Sequence, residues 1–311
     1  MWQSGLIGIL VRRRPDIIIF LGDASYLSTW LGALLGRALG ARILFWTIGW
    51  FQPEAGLRRI FRLLFYRLAH GLLLYGHVAR TIGLEMGYPD MKMSVIYNSS
   101  SGPVQHLEAD PMALDEFAAN LPLGDRPVAT AVIRLTTVKR LDLLIEAAGI
   151  LRDRGTEVDV LLVGEGPELS RLTHQAYRRG VRLFTPGPAY GEAHLRKVYD
   201  VTDVTVVPSA AGLTVLQSLK FGRPVITDDS VHTQMPESEA VMVGRTGDYY
   251  HQGDAQSLAN VMGMWLARQR QSRAETAGQC IASIEDRWSA HSQYRRIRAE
   301  IVRPSHKRLR D

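Results

Sequence analysis

The sequence predicts an α/β protein made of two domains, each built around a parallel sheet. Three observations predict this fold class: buried apolar runs of strand length, apolar-periodic helical stretches between them, and glycine turns where the two meet. At 311 residues, with 46% apolar and 22% charged residues, the chain has the length and composition of a globular protein with two medium domains.

The first half of the chain alternates strand and helix from its beginning. Asp16–Leu21 is a buried apolar strand, and the helix Tyr26–Leu39 follows it and ends at Gly40. The later predicted elements of this half are the strand Ala41–Trp46, the helix Leu57–His70, the strand Gly71–Leu74, the helix His77–Met86 and the strand Lys92–Tyr97. This alternation predicts a parallel sheet.

A change in composition between Asn98 and Pro127 marks the predicted domain boundary. This stretch is rich in Ser, Pro, Gly and acidic residues and contains no long strand pattern. We therefore predict a first domain over residues 1–110, a second over 111–285, and a C-terminal helix, 286–311, that packs back towards the first domain.

The second half restarts the alternation and contains a βαβ unit at Thr205–Asp229. Its other predicted strands are Val128–Ile133, Val158–Val163 and Val181–Phe184, and its other predicted helices are Leu141–Arg152, Glu168–Arg179, Gly191–Tyr199, Ala255–Gln269 and Arg273–Ile301. A second parallel sheet is predicted from this pattern.

Charge and cysteine content limit the classes of partner and compartment. The 37 Lys and Arg residues exceed the 31 Asp and Glu residues, which gives a net charge of +6 and favours anionic partners. The single cysteine, Cys280, excludes an intrachain disulfide framework and predicts a cytoplasmic location. Arg37, Arg42 and three glycines interrupt the segment Tyr26–Trp46, so we expect a buried helix and strand there rather than a membrane span.

Several other functions lack a motif. The nine histidines show no metal-ligand spacing, so no metal or other cofactor is predicted. Ser209 has no GxSxG context, which argues against a hydrolase. Arginine content alone supports no nucleic-acid-binding module.

The helix Leu57–His70 is amphipathic and cationic. Its apolar stripe comprises Leu57, Ile60, Phe61, Leu64, Phe65 and Leu68, and Arg58, Arg59, Arg62 and Tyr66 lie largely on the other side. Two interpretations remain open: a helix that lies in an anionic membrane interface, peripheral to the inner face of the cell membrane, or a helix that covers the sheet with a solvated basic face.

Three loops that follow strands carry the residues of a candidate anion site. Arg134 and Lys139 follow the strand Val128–Ile133, where paired cations suit a diphosphate, although a surface pair that caps a helix remains an alternative. Gly164, Glu165, Gly166 and Pro167 join the next strand to a helix, and Gly212, Leu213 and Thr214 open a further helix. Since the carboxyl ends of parallel strands share one sheet edge, the loops predict a nucleotide site there.

Four sequence blocks in the second half resemble one enzyme family. The blocks IRLTTVKRLDLLIEA, LLVGEGPELSRL, GLTVLQSLKFGRPVIT and PESEAVMVGRTGDYYHQGDAQSLA are similar in order and spacing to the donor half of GT-B glycosyltransferases of the group that includes retaining family 4 enzymes. In the first half, FLGDASYLSTWL, LFWTIGWFQPE and the pattern LLLYGHVAR…GY…VIYNSS resemble a polysaccharide-type subset. The resemblance implies two Rossmann-like domains facing a cleft, a nucleotide-sugar donor on the second, an acceptor on the first and no obligatory metal.

The resemblance also implies roles for individual residues. Arg134 and Lys139 would neutralise the donor diphosphate, and Gly164–Pro167 would lie near base and ribose. Gly212, Leu213 and Thr214 would direct helix N–H groups at phosphate, and Gln217 would face the ribose. The implied activity is sugar transfer, with retention of configuration, to a lipid-linked or saccharide acceptor.

This chain departs from the family pattern at three places. Gln217 stands where many relatives have a carboxylate, and Ile48 stands where similar proteins often have His. Glu237 and Glu239 are then the nearest acidic candidates; Glu237 occupies a position that often carries Glu in the family, and it either lines the donor site or caps a helix. The first domain is expected to be incomplete, lacking one or two β/α units, with Met1 as an internal start. These departures favour, as the alternative function, a non-catalytic nucleotide-sugar-binding partner subunit.

Overall fold

A computed structural model describes residues 1–100, 121 and 124–302, and it divides into two compact units. The first unit contains residues 1–98 together with the last described helix, and the second contains residues 99–289. The stretch predicted as the domain boundary lies largely outside the described residues, as do residues 303–311 of the predicted C-terminal segment.

The first unit is built on a four-stranded parallel sheet in the order β1-β2-β3-β4. Its strands are β1 (Ile17–Leu21), β2 (Arg42–Thr47), β3 (Gly71–Leu74) and β4 (Met93–Val95). Its helices are α1 (Leu6–Arg13), α2 (Leu27–Ala38), α3 (Gly56–Arg67) and α4 (His77–Glu85). Buried apolar side chains such as Ile43, Phe45 and Leu72 form its core.

The second unit is built on a six-stranded parallel sheet in the order β10-β9-β8-β5-β6-β7. Its strands are β5 (Val128–Val132), β6 (Asp159–Val163), β7 (Leu183–Gly187), β8 (Val204–Val207), β9 (Val225–Asp228) and β10 (Gly247–Tyr250). Its helices are α5 (Leu141–Asp153), α6 (Leu169–Arg179), α7 (Glu192–Val201), α8 (Leu213–Lys220) and α9 (Ala255–Ser283). The predicted fold class, two parallel-sheet α/β domains, is confirmed.

The end of the chain differs from the predicted pair of helices. Helix α9 continues through Ser272 with a kink, and a π-helical turn, Ile284–Trp288, separates it from helix α10 (Ala290–Val302). Helix α10 belongs to the first unit, where the Arg42 guanidinium pairs with Glu300 at 3.5 Å. The predicted single helix Arg273–Ile301 is therefore wrong, because the apolar pattern did not show where the chain changes unit.

Candidate functional site

The loops after β5 and β6 are joined backbone to backbone. The N–H of Leu135 donates to the carbonyl of Glu165 at 2.9 Å. A Cβ added to Gly164 would lie 2.0 Å from the carbonyl oxygen of Ile133, and one added to Gly166 would lie 2.2 Å from that of Leu135. Both glycines are therefore required by the close approach of the two loops to each other.

The Lys139 side chain connects the loop after β5 to the loop after β8. Its Nζ donates to the carbonyl of Ala210 at 2.7 Å. The side chain is half-buried, and burial lowers the pKa of Lys139 because it disfavours the ammonium form. Arg134 is exposed and forms no ion pair with any residue that the structure describes. The three predicted loops thus lie at one sheet edge, with two cations among them.

Helix α8 begins at the same edge. Gly212 is its N-terminal cap and supplies no side-chain hydrogen bond, so the first backbone N–H groups have no acceptor within the helix. The Thr214 hydroxyl donates to the carbonyl of Val132, the last residue of β5, at 2.8 Å, while Leu213 is exposed. The helix start is thereby fixed against β5, and its N–H groups and dipole favour an anion.

Gln217 lies on α8 beside the buried Tyr199 of α7. The Tyr199 hydroxyl donates to Gln217 Oε1 at 3.2 Å, and the Tyr199 ring stacks on Phe221 with centroids 5.0 Å apart. Because a buried hydroxyl needs an acceptor, this contact sets the orientation of the amide and leaves its NH2 group as the donor to any ligand. The sequence did not predict this partner, since the two residues lie on different helices.

The Tyr199→Phe variant tests the importance of this hydrogen bond. We expect the free energy of unfolding to fall by about 1 kcal/mol, because Gln217 loses its buried partner while the aromatic ring is kept. Urea unfolding followed by circular dichroism measures the change. An unchanged midpoint would show that the hydroxyl contributes nothing to folding.

Glu237 lies in a short 3-10 turn, Pro236–Ala240, and is 4% exposed. The segment just before the turn packs at the start of α8. The Gln234 amide oxygen accepts from the N–H of Ala211 at 2.7 Å, and a Cβ on Gly212 would lie 3.7 Å from Met235 Cγ. Glu237 is thus placed on a segment that adjoins the loop after β8. Glu165 and Pro167, by contrast, are exposed on the loop after β6.

A cavity of about 560 Å³ opens at the carboxyl edge of the sheet in the first unit. It is bordered by the segments that follow β1, β2 and β3, and sequence analysis did not assign most of its residues to a site. Its aromatic lining residues are Trp46, Phe51 and Tyr75, and its charged ones are Asp23, Glu54, Arg58 and Arg62. Ile48, at the position where similar proteins often have His, also lines it. Among its lining residues, Ile48 had stood out in the sequence as a departure from the family, and Arg58 and Arg62 as part of the cationic helix.

Glu54 holds two arginines of α3 at the edge of this cavity. Its side chain is 5% exposed; it accepts from Arg62 Nη2 at 2.9 Å and pairs with Arg58 Nε at 3.2 Å. Arg62 Nη1 also donates to the Tyr66 hydroxyl at 3.4 Å, and that hydroxyl donates to the carbonyl of Gly49 at 3.3 Å. The network orients Arg58 and Arg62 towards the cavity.

This network corrects one interpretation of the amphipathic helix. One of the two interpretations had α3 cover the sheet. In it, the apolar stripe packs on the sheet, and the basic face, which includes Tyr66, is solvated. Tyr66 is instead fully buried, as is Phe65, while Leu57 and Ile60 are exposed. Arg58 and Arg59 remain exposed, whereas Arg62 and Tyr66 face the protein because Glu54 neutralises Arg62 and because the tyrosine hydroxyl has partners there.

Within residues 1–100 and 124–302, no group of three or more His, Cys, Asp or Glu side chains is placed to hold a metal ion. In the same described part of the chain, no helix is both long and apolar enough to cross a membrane.

Comparison with known structures places the fold in a class. The crystal structure of Anabaena Alr3699/HepE in complex with UDP superposes with a TM-score of 0.77, at 18% identity, over 95% of this chain and 81% of that one. Together with the two parallel sheets, this likeness defines a GT-B glycosyltransferase fold.

The sequence comparisons give the family. The family model described as "Glycosyl transferases group 1" matches residues 126–268. A GDP-mannose-dependent alpha-(1-6)-phosphatidylinositol monomannoside mannosyltransferase of Mycolicibacterium smegmatis is 30% identical in an alignment of 285 positions that covers 82% of this chain and 69% of that protein. The amylovoran biosynthesis glycosyltransferase AmsK of Erwinia amylovora is 25% identical in an alignment of 221 positions that covers 64% of this chain and 51% of AmsK. The chain belongs to the group 1 glycosyltransferases, which confirms the resemblance and the enzyme class inferred from the sequence.

Proposed function

We propose that the protein transfers a sugar from a nucleoside diphosphate donor to a lipid-linked or saccharide acceptor in cell-surface polysaccharide assembly. The donor binds at the carboxyl edge of the six-stranded sheet. The observation that carries this proposal is the bond from Lys139 Nζ to the carbonyl of Ala210, which holds a cation among the three loops and beside the start of α8. The names of the relatives, a GDP-mannose-dependent enzyme and a complex with UDP, support a nucleotide-sugar donor.

The donor diphosphate would be bound by charge and by backbone. Lys139 and Arg134 supply the cations, and the N–H groups at Gly212, Leu213 and Thr214 supply uncharged donors. As the bond to the sugar breaks, negative charge grows on the diphosphate, and these fixed donors stabilise it in the transition state without a metal. By family resemblance, the anomeric configuration is retained. Glu237 and the amide of Gln217 complete the proposed donor site.

Calorimetric titration of UDP and GDP into the intact protein tests the donor site. We expect saturable one-site binding of at least one of the two nucleotides. Absence of binding for both would contradict the proposal, because the loops need no acceptor to be present in order to bind a diphosphate.

The acceptor would bind in the cavity of the first unit. Its charged lining residues, Asp23, Glu54, Arg58 and Arg62, balance to zero formal charge, and aromatic faces lie beside them. A lining with no net charge suits the hydroxyl and C–H groups of a saccharide better than it suits a bare phosphate. The saccharide end of the acceptor is therefore the part proposed to enter.

Glu54→Gln tests the acceptor site. Two arginines lose their shared carboxylate, so we expect the free energy of unfolding to fall by roughly 1–3 kcal/mol and the KM for acceptor to rise. UDP and GDP affinity should not change, since the donor loops belong to the other unit. Urea unfolding and acceptor titration measure the two effects.

Asp90→Asn is the matched control for this variant. It removes a more exposed ion pair of the same unit, with Arg80, and should cost less than about 1 kcal/mol. Acceptor KM values that are equal for Glu54→Gln and the unmodified protein would contradict an acceptor role for this cavity.

A non-catalytic nucleotide-sugar-binding subunit is the second candidate function. Gln217 favours it, because an amide replaces the carboxylate of many relatives and is engaged by Tyr199. Such a subunit would bind nucleotide without turnover, so an assay of transfer separates the two functions. In either case we propose a cytoplasmic protein on the inner face of the membrane.

A further inference from the structure

Helix α3 carries the first four residues of its apolar stripe on the solvent side. Leu57 is 84% exposed, and Ile60, Phe61 and Leu64 are each more than half exposed. The helix reaches the core through Phe65 and Tyr66, and Leu63 is partly buried against the same core. Four large apolar side chains on one helical face are therefore available for contact. Single exposed apolar residues are common on protein surfaces, but a contiguous group of this kind indicates an interaction site.

Helix α2 extends this apolar face. Leu27, Leu31 and Leu34 recur at helical spacing and are all exposed. The Trp30 ring contacts the Phe61 ring of α3, with centroids 5.1 Å apart, so the two helices lie side by side. Their exposed residues form one surface, which we call the α2–α3 apolar surface.

The charges on these two helices all have one sign. Helices α2 and α3 carry five arginines and no acidic residue. Arg37 and Arg59 donate to backbone carbonyls, of Leu68 and Met86, at 3.0 and 3.1 Å, and therefore keep their full positive charge. Arg67 is exposed at the end of α3. Arg58 and Arg62 pair with Glu54, so Arg37, Arg59 and Arg67 give this surface its positive charge.

We propose that the α2–α3 apolar surface docks on an anionic lipid bilayer. Leucine, isoleucine and phenylalanine side chains would enter the boundary between head groups and acyl chains, while the arginines contact lipid phosphates. A neutral protein partner would cover the apolar residues but supply no counter-charge to Arg37, Arg59 and Arg67. The all-cationic charge of both helices therefore favours lipid as the occupant.

Docking of this surface would place the acceptor cavity at the membrane. This step of the proposal rests on the proposed function. Arg58, in the first turn of α3, lines the cavity, and Leu57 beside it is the most exposed apolar residue of the surface. Docking would therefore hold the cavity mouth at the level of the lipid head groups. A saccharide carried on a lipid anchor would be presented there.

Vesicle co-sedimentation tests the proposal. The protein is mixed with vesicles of equal phosphatidylcholine and phosphatidylglycerol, or of phosphatidylcholine alone. We expect binding to the anionic vesicles and at least about tenfold weaker binding for the triple variant Leu57→Ser, Ile60→Ser, Leu64→Ser. Arg59→Gln with Arg67→Gln should weaken binding about fivefold per charge. The control variant Val243→Ser with Met264→Ser, which alters exposed apolar residues of the second unit, should bind like the unmodified protein.

Four outcomes would overturn the proposal. Three concern vesicles: no binding to anionic vesicles, equal binding to both vesicle types, and undiminished binding of the triple variant. The fourth is a dimer in sedimentation velocity that the triple variant abolishes, because the surface would then be an interface between copies of the protein. UDP and GDP titration of the triple variant keeps this test separate from the donor site, because those loops lie in the second unit.

Discussion

Lys139→Ala is expected to weaken the binding of UDP and GDP by at least about tenfold and to lower kcat/KM for transfer by about 100-fold or more. The carbonyl of Ala210 holds the half-buried ammonium group of Lys139 at the sheet edge. We therefore expect that no other side chain takes over its charge at this position. Its effect should be larger on turnover than on binding, because the charge on the departing diphosphate grows as the sugar leaves. Calorimetry measures the first effect and steady-state kinetics the second.

Arg140→Asn is the matched control for Lys139→Ala. Arg140 is the next residue, and its guanidinium pairs with Asp142 at 3.1 Å on the surface. Asparagine tolerates its positive φ of 49°, so the variant removes one cation with little strain. We expect nucleotide affinity within about twofold of the unmodified protein. Equal losses in the two variants would show that net charge, rather than the position of Lys139, governs binding.

Gly166→Ala is expected to lower the free energy of unfolding by roughly 2–4 kcal/mol and to abolish measurable nucleotide binding. The added Cβ would lie 2.2 Å from the carbonyl oxygen of Leu135, a backbone atom that also accepts from the N–H of Glu168. Relief of this clash requires the loops after β5 and β6 to separate, which would move the loop that carries Lys139. Urea unfolding gives the stability change, and calorimetry gives the binding.

Gly278→Ala supplies the comparison for this substitution. Gly278 lies in helix α9, and a Cβ there would meet nothing within 4 Å. The variant should be neutral or more stable by up to about 1 kcal/mol, because alanine favours a helix. If Gly166→Ala were as stable as Gly278→Ala, the close approach of the two loops would not be a requirement of the fold.

The donor-side loops could be predicted from sequence because local patterns specify them. Buried β-branched strands followed by glycines imply loops at one sheet edge, and parallel pairing then brings Lys139 and Gly164 to the same edge. The need for Gly164 and Gly166 follows from the same geometry. What the pattern did not give is the Lys139 partner, since Ala210 is distant in sequence and accepts through its backbone.

The orientation of α3 could not be predicted from its amphipathic pattern. The periodicity of apolar residues identifies an apolar and a charged face of the helix. It does not show which face packs on the rest of the protein when a charged residue has a buried partner. Glu54 precedes the helix and neutralises Arg62, and Tyr66 takes part in a buried hydrogen-bond network. These contacts depend on the tertiary arrangement.

Strand β10 was not predicted, because its position also depends on a tertiary contact. Gly247 begins the strand, and a Cβ added there would lie 1.8 Å from the carbonyl oxygen of Val225 on the neighbouring strand β9.

Acceptor-dependent release of nucleoside diphosphate tests the central claim most directly. The protein is incubated with UDP-sugars and GDP-sugars, each with a panel of lipid-linked and saccharide acceptors, and released UDP or GDP is quantified. We expect release with at least one donor that requires both acceptor and Lys139, with sugar recovered on the acceptor. Saturable binding of UDP or GDP without acceptor-dependent release from any donor would contradict transfer and identify a nucleotide-sugar-binding subunit.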